Sequence, residues 1–370
     1  RPSTGPFLLT AAACGIKSIN SNLMKKMFLA AAAALAMLAS CSKDADEIAD
    51  TAKGGVVKIT LTDKTPAMTR AFFGTTAAAE SWEKKIGSLT LFVFDGSDRA
   101  VLQRRFSAAE ISGQAATIPV PDAKPGELYK FYVVANSGNP ANVADLTELR
   151  SSTESEAASY NGTFDEVTTK AVRSGGFTMT GSTMKAIAQA GQTTDVQIGI
   201  ERLVAKIAVQ TATDSKFAAA YPGRVKIASA TVSRAASSTP YFNETQHSGG
   251  VENRAAVVHN FSQTQASKEQ SGKYANLFYV YGSENSNPAE NVLLTLEGVY
   301  DNDGDFATTA DQIPISYEVE LNGDSGKAIS RNTYRRVSVN ISGLTGADVA
   351  VTITPADWEG PINQEVNLGM

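Results

Sequence analysis

The segment VVKITLTDKTPAMTRAFFG, residues 56–74, contains the pattern that decides the fold. Val57, Ile59 and Leu61 alternate with polar residues, and this period of two predicts a half-buried β-strand. The polar residues that follow include a proline and Arg70, which together predict an exposed loop directly behind the strand. A good strand beside an accessible arginine is the first feature to explain.

The same alternation recurs along most of the chain. Turn residues separate the segments, as is typical of β-sandwiches, so the sequence predicts an all-β fold with little helix. The predicted strands lie within residues 88–96, 127–138, 193–212, 224–234, 276–283, 291–300, 314–321, 334–343 and 348–355. One helix is predicted near Pro140, because Val143, Leu146 and Leu149 follow at a spacing of three.

Length and composition indicate a globular protein. The chain has 370 residues, of which 42% are hydrophobic and 19% charged, enough for one large or two medium domains. We predict a boundary near Ile200, inside the long strand-like run. The net charge of -5 gives no basic surface of the kind that nucleic acid requires, so nucleic acid is excluded as a partner.

Residues 24–44, MKKMFLAAAAALAMLASCSKD, have the form of a bacterial lipoprotein signal. Two lysines precede an apolar stretch that is too short to span a bilayer comfortably. The sequence Leu-Ala-Ser-Cys then ends at Cys41, which we predict carries the lipid, with residues 24–40 as signal peptide. The alternative is an ordinary secretory signal with a chance cysteine. Residues 1–23 are expected to be an untranslated leader and are left out of the fold prediction.

The second cysteine, Cys14, lies within residues 1–23. Cys41 is then the only cysteine expected in the exported protein, and lipid occupies it. The fold is therefore predicted to lack disulfides and thiolate metal sites.

No catalytic, cofactor or metal site is predicted. The chain has two histidines, His247 and His259, and neither accompanies a G-x-S-x-G nucleophile motif. The acidic segment DNDGD, residues 301–305, has glycine at its fourth position, whereas a calcium-binding EF-hand loop requires glycine at the sixth. We interpret it as a turn between two strands.

The aromatic residues are interpreted as core. A sugar-binding surface needs exposed rings, but the candidates lie mostly inside alternating strand patterns. They are Trp82, Tyr241, Phe242, Tyr279, Tyr281 and Trp358.

Several motifs carry a resemblance to a known family. In chain order they are TRAFFG, LTLFVFDG, FYVVANSG, GFTMTGS, IERLVAKIAVQ, AISRNTYRRVSVNISG and PADWEG, after a lipoprotein signal followed by SKD. Their order and spacing resemble the FimA-type fimbrillins, the type V pilins of Gram-negative gut and oral anaerobes.

The resemblance implies two transthyretin-like β-sandwich domains in tandem, over residues 71–200 and 201–355. It also implies that an arginine-specific protease cuts between Arg70 and Ala71, and that the lipidated propeptide, residues 41–70, is removed with its strand. Lys64 is a rival cutting site, but the TRAFFG motif favours Arg70. The strand removed would contain Val57, Ile59 and Leu61, which opens a groove for a strand of another subunit.

The C-terminal residues 356–370 fit the role of that donor strand. Its apolar side chains fall at even positions, with polar residues between them: Trp358, Ile362, Val366, Leu368 and Met370. They follow a strand that already completes a sheet edge, so this alternating segment has no partner strand of its own. The alternatives are a frayed C-terminus or an ordinary last strand.

By resemblance, the chain is a structural pilin, more specifically a shaft or major subunit of surface fimbriae for adhesion and biofilm formation. Its partners would be copies of itself, anchor and tip subunits, the protease and a surface receptor. The precursor would be held in the outer membrane by its lipid. The alternative is a monomeric surface lipoprotein that binds glycans, and an enzyme is the weakest of the options.

Overall fold

The computed structural model describes residues 55–61, 72–73, 79–112, 117–120, 122–138, 140–189, 191–242, 257–282, 291–321, 329–346, 348–356 and 358. Residues Lys53–Met370 cluster as one compact unit. Strands dominate the described residues and the helices are short, which confirms the all-β prediction.

All but one of the described strands before residue 203 form two sheets. The strands in this part of the chain are β1 (Gly55–Leu61), β2 (Leu89–Phe94), β3 (Ala100–Phe106), β4 (Thr117–Val120), β5 (Leu128–Ala135), β6 (Thr153–Glu154), β7 (Met179–Ala186), β8 (Thr193–Ile198) and β9 (Glu201–Arg202). One sheet has the order β4-β1-β8, and the other has the order β3-β2-β5-β7-β9. Every residue of β2 is buried, so both of its faces are covered, and β3 and β5 pair with its two edges.

All but one of the described later strands form two further sheets. The strands in this part of the chain are β10 (Val204–Thr213), β11 (Arg224–Ala235), β12 (Thr239–Pro240), β13 (Phe261–Ala266), β14 (Lys268–Gln270), β15 (Lys273–Tyr281), β16 (Val292–Asp301), β17 (Gln312–Leu321), β18 (Tyr334–Ile341) and β19 (Val349–Ala356). Their orders are β14-β15-β10-β18-β19 and β13-β11-β16-β17, while β12 pairs with β6 in a separate two-stranded sheet. The Tyr274 hydroxyl on β15 donates to the Val225 carbonyl on β11 at 3.1 Å, so the two sheets pack face to face as a β-sandwich.

The long strand-like run over residues 193–212 is divided among three strands: β8, the two-residue β9 and β10. β8 pairs with β1 in the first group of sheets, and β10 pairs with β15 and β18 in the second. The break falls at Gly199, whose carbonyl oxygen would lie 2.1 Å from a Cβ added to Gly181. Ile200 lies between β8 and β9, which both belong to the first group of strands, and the division into two domains remains a prediction.

In the part of the chain that the structure describes, the helices have six residues or fewer. They are α1 (Ser81–Lys84), α2 (Ala108–Ser112), α3 (Leu146–Ser151), α4 (Phe164–Val167) and α5 (Ser215–Ala220), with a 3-10 helix at Ala157–Tyr160. The predicted helix near Pro140 begins later, at α3, because the Asp145 side chain caps it by accepting from the Glu148 amide. Within the described residues, no helix has the length and apolarity needed to cross a membrane.

Candidate assembly site

Strand β1 lies in the middle of its sheet and in the core. Val57, Ile59 and Leu61 are 0%, 2% and 0% exposed. Val56 and Lys58, which point to the opposite face, are half-buried. The alternation in the sequence therefore corresponds to one buried face and one partly solvated face, as predicted.

β1 is the link between its two neighbours. It pairs antiparallel with β4 from Gly55 to Lys58, and parallel with β8 from Val56 to Leu61. In the part of the chain that the structure describes, neither β4 nor β8 pairs with any other strand. Removing β1 would therefore expose two unpaired strand edges and the apolar residues below them.

The start of β1 is tightly enclosed. A Cβ added to Gly55 would lie 2.3 Å from Cγ2 of Ile187, which is itself buried. A side chain at this position requires Ile187 to move. Glycine thus allows the strand to enter between β4 and β8.

The chain is fixed again shortly after β1. The Phe72 ring packs edge-on against Phe164 of α4, with 4.9 Å between ring centroids, and the Tyr334 hydroxyl donates to the Phe72 carbonyl at 2.8 Å. The Arg336 guanidinium lies 5.8 Å from the centre of the Phe73 ring. The predicted cutting site, Arg70 and Ala71, lies outside the described residues, within the ten-residue connection between Leu61 and Phe72.

Trp358, predicted as the first apolar residue of the donor strand, is buried in the core of this chain. It is 1% exposed, and its ring stacks on Tyr279 with 6.0 Å between centroids. The Arg202 guanidinium lies 4.4 Å from the centre of the indole ring, and Phe177 packs against it edge-on. The other donor-strand residues lie outside the described residues: Ile362, Val366, Leu368 and Met370.

A buried carboxylate holds these groups together. Glu83 of α1 is 0% exposed and accepts from Lys206 at 2.7 Å, from the Tyr279 hydroxyl at 2.5 Å and from the Trp358 indole at 3.4 Å. The Glu83 carbonyl accepts from Nε of Arg202 at 2.9 Å. We call these five residues the Glu83 cluster.

Within the Glu83 cluster, the negative charge of Glu83 is compensated by the positive charges of Lys206 and Arg202. Burial acts to raise the pKa of Glu83, but the charges of Lys206 and Arg202, with hydrogen bonds from Lys206 and Tyr279, lower that pKa below its ordinary value. Burial, and then the negative charge of Glu83, raise the pKa of Tyr279. Glu83 is therefore ionised at neutral pH, and Tyr279 remains a hydrogen-bond donor.

A second buried carboxylate, Glu154, also accepts from a tyrosine of β15. Glu154 of β6 is 4% exposed and accepts from Tyr281 at 2.9 Å, from Thr178 at 2.5 Å and from the Tyr160 hydroxyl. Nη2 of Arg173 lies 3.7 Å from its carboxylate. Tyr279 and Tyr281 are two residues apart on β15 and therefore point to the same face of the sheet, and each donates to a different buried carboxylate.

Sequence reasoning missed both carboxylates. Glu83 lies in SWEKK, where nothing distinguishes it from a solvent-exposed charge. The available signal was Arg202 and Lys206, two cations inside the apolar run IERLVAKIAV, since a buried cation requires a buried partner. That signal predicts a carboxylate somewhere without saying which one.

The remaining predicted sites have different outcomes. Cys41 and His247 lie outside the described residues, and His259 is half-buried just before β13. Tyr241, Phe242, Tyr279, Tyr281 and Trp358 are buried and Trp82 is half-buried, which confirms their interpretation as core residues.

The acidic segment 301–305 connects β16 to β17, as predicted. Carboxylate oxygens of Asp301, Asp303 and Asp305 lie within 4.8 Å of one another. Those carboxylates accept from amides of the same loop, such as the Gly304 amide on Asp301 at 2.7 Å. These contacts stabilise the turn.

Comparison with known proteins gives a family match. Residues 56–215 match the family model described as major fimbrial subunit protein (FimA). None of the curated proteins matches the sequence significantly.

Solved structures share the fold. A fimbrilin from Porphyromonas gingivalis W83 has a TM-score of 0.52 at 17% identity, covering 85% of this chain and 100% of that chain. The tip fimbrial protein Mfa3 from Porphyromonas gingivalis has a TM-score of 0.50 at 13% identity, covering 82% and 100%. A Bacteroides eggerthii protein whose name refers to cell adhesion has a TM-score of 0.53 at 18% identity, covering 84% and 98%.

At these identities, the structural matches establish the fold alone. The family match covers nearly all of β1 and the whole of β4, β8 and β10, so it includes the strands of the candidate assembly site. The family match and the shared fold confirm the resemblance of this chain to the FimA-type fimbrial subunits.

Proposed function

We propose that the protein is a structural pilin, cut between Arg70 and Ala71 and polymerised by donor-strand exchange into surface fimbriae. The observation that carries this proposal is the position of β1. It is a central, buried strand, and it is connected to the rest of the chain through a ten-residue segment that contains the predicted cutting site.

Before cleavage, β1 occupies the groove between β4 and β8. Its three buried side chains contribute roughly 1.5 to 3 kcal/mol each in gross terms, and its backbone hydrogen bonds add about 1 kcal/mol each. As part of the same chain, β1 also has an effective concentration on the order of millimolar or more. A donor from another subunit cannot displace it at ordinary concentrations, so cleavage works as the switch for polymerisation.

After cleavage, the donor is the alternating C-terminal segment of the next subunit. Ile362, Val366, Leu368 and Met370 offer more apolar side chains than the three buried positions that β1 vacates. The new strand would restore the pairing of β4 and β8 and cover the exposed core. Repeating this step produces a fibre, with this chain as a shaft or major subunit.

The cellular route is part of the proposal. The precursor would be exported as a lipoprotein acylated at Cys41, held in the outer membrane and processed there by an arginine-specific protease. Anchor and tip subunits would begin and end the fibre, and the finished fimbria would serve adhesion and biofilm formation.

The processing step is tested by sequencing the N-terminus of purified surface filaments. We expect Ala71 as the first residue of the wild-type filament protein. Arg70→Ala should leave an unpolymerised precursor, whereas Lys64→Ala, the matched control at the rival site, should assemble normally. Filaments that begin at Cys41, or normal assembly of Arg70→Ala, would disprove the proposal.

The donor segment is tested separately. Deleting residues 362–370 should leave a folded and exported subunit that no longer elongates fibres. Leu368→Asp, on the apolar face, should have the same effect, while Asn367→Asp on the polar face should not. Fibres of normal length from the deletion would exclude this segment as the donor.

A further inference from the structure

Trp358 lies where the folded body meets the proposed donor segment. It follows β19 closely, and residues 359–370, which we call the tail segment, come after it. Its indole contacts side chains from both groups of strands, namely Arg202 on β9 in the first group and Tyr279 on β15 in the second. Glu83 and Phe177 also contact it. These contacts enclose the ring on several sides.

Moving this ring into another subunit would disrupt the Glu83 cluster. The Arg202 guanidinium faces the indole at 4.4 Å, and the Lys206 ammonium lies 5.9 Å from its centre. Both cations are buried or nearly so, and both depend on Glu83. Extracting Trp358 would leave a cavity lined by charged side chains, which is an unfavourable environment.

The groove does not need Trp358. β1 buries three large side chains, and the tail segment supplies Ile362, Val366, Leu368 and Met370. Gly360 and Pro361 lie between Trp358 and Ile362, and both residue types interrupt strand pairing. Gly360 and Pro361 therefore separate Trp358, which can stay in its own subunit, from the apolar residues that can be donated.

We propose that Trp358 stays in its own subunit during assembly as the attachment point of the tail segment, and that Glu83 is the positioning residue that holds it there. This inference rests on the proposed donor-strand exchange and deepens it. Glu83 lies ten residues beyond Phe73, so the part of the chain that follows the cutting site fixes the part that is donated.

An ordered attachment point strengthens the joint between subunits. When the residues around Trp358 are already fixed, fewer residues lose conformational freedom as the tail segment enters the next groove. Releasing Trp358 adds that ordering cost to every joint. Loosening the Glu83 cluster should therefore weaken the donor role of a subunit while leaving its acceptor role intact.

The first experiment follows the fluorescence of Trp358 in a Trp82→Phe background, where it is the single tryptophan. We expect low acrylamide quenching in both monomer and polymer, and increased quenching in both when Glu83→Gln is added. Glu154→Gln, the matched control that removes the other buried carboxylate, should leave the quenching low. A polymer whose quenching does not respond to Glu83→Gln would mean that Trp358 has moved into the neighbouring groove.

The second experiment separates donor from acceptor. The donor is the Arg70→Ala precursor, which keeps β1 and its tail segment, and the acceptor is the cleaved subunit that lacks residues 362–370. Glu83→Gln in the donor should weaken dimerisation by about tenfold, the equivalent of about 1.4 kcal/mol. The same substitution in the acceptor, and Glu154→Gln in either partner, should have little effect.

The outcomes distinguish the two proposals. If the wild-type donor and acceptor form no dimer, donor-strand exchange is refuted and this inference falls with it. If they dimerise and Glu83→Gln has no effect in the donor, or weakens both roles equally, only the positioning role is refuted.

Discussion

Strand β1 and residue Trp358 lie near opposite ends of the described chain, and both are almost completely buried, yet different contacts hold them. Within the described residues, β1 is held by backbone pairing with β4 and β8 and by the apolar side chains Val57, Ile59 and Leu61. Trp358 is held by an aromatic stack, a cation over its ring and a hydrogen bond to a buried carboxylate.

This difference determines which of the two can be exchanged. Backbone pairing and apolar burial accept any strand with the right alternation, because neither depends on particular side-chain chemistry. A buried ion cluster accepts only its own partners, since each missing group leaves an uncompensated charge. We therefore propose that β1 is replaceable and Trp358 is not, and the following predictions test that contrast.

The largest effect is expected at the centre of β1. Ile59→Asp places a carboxylate at a site that is 2% exposed, which should lower the free energy of unfolding of the uncleaved chain by about 4 kcal/mol or more. Thr60→Asp, on the half-buried face, is the control and should cost about 1 kcal/mol or less. Urea denaturation measures both, and equal losses would show that the apolar face does not hold the strand.

Glu83→Gln should lower the free energy of unfolding by about 3 kcal/mol at pH 7, because Lys206 and Arg202 lose their counter-charge. Since the pKa of Glu83 is lowered from 4.5 in the folded state, its contribution is complete above that value and is lost as pH falls through the folded pKa.

The difference between wild type and Glu83→Gln should therefore shrink in acid. Ile59→Val in β1 removes no titrating group and should show the same loss of about 1 kcal/mol at pH 7 and in acid. Urea denaturation at both pH values gives the comparison, and a difference for Glu83→Gln that is constant with pH would contradict the charge-based account.

Gly55→Ala tests how closely the groove fits β1. The added Cβ would lie 2.3 Å from Cγ2 of Ile187, so we expect a loss of about 2 kcal/mol in urea denaturation. Gly138→Ala is the control, because a Cβ there meets nothing within 4 Å. An unchanged stability for Gly55→Ala would mean that the groove tolerates a larger residue at this end.

The smallest effect is expected at Phe72, between the two regions. Phe72→Ala should cost about 1.5 kcal/mol through lost packing on Phe164, and a double-mutant cycle with Phe164→Ala should give a coupling of about 1 kcal/mol. If the chain is cut after Arg70 as proposed, the coupling should persist, because Phe72 would stay with the body of the chain when β1 leaves. Its disappearance would indicate that Phe72 is released with the strand.

Strands with clear alternation were predictable, and those without it were not. Five strands match predicted segments closely, because a period of two indicates a strand whichever strands pair with it: β5, β11, β16, β17 and β18. β7, with the sequence MTGSTMKA, and β13, with FSQTQA, are largely polar and were missed. Pairing with β5 and with β11 makes these two segments strands.

Part of the candidate site was predictable for the same reason. The alternating sequence of β1 predicts which of its faces is buried, but it does not predict that β1 pairs with β4 and β8. Trp358 fell on an alternating pattern with the tail segment, so the sequence grouped it with the donor residues. Its burial depends on Glu83, Arg202 and Tyr279, which lie far from it along the chain.

The sequence by itself determined the all-β class, most of the strands, the resemblance to the fimbrial subunits and the apolar face of β1. These features depend on local periodicity or on short motifs, which are complete within about ten residues. Only the tertiary structure decided that β1 lies between β4 and β8, and that Trp358 belongs to the body of its own subunit. Contacts between distant residues follow from the packing of the whole chain, and no local pattern records which partner a buried charge or ring will meet.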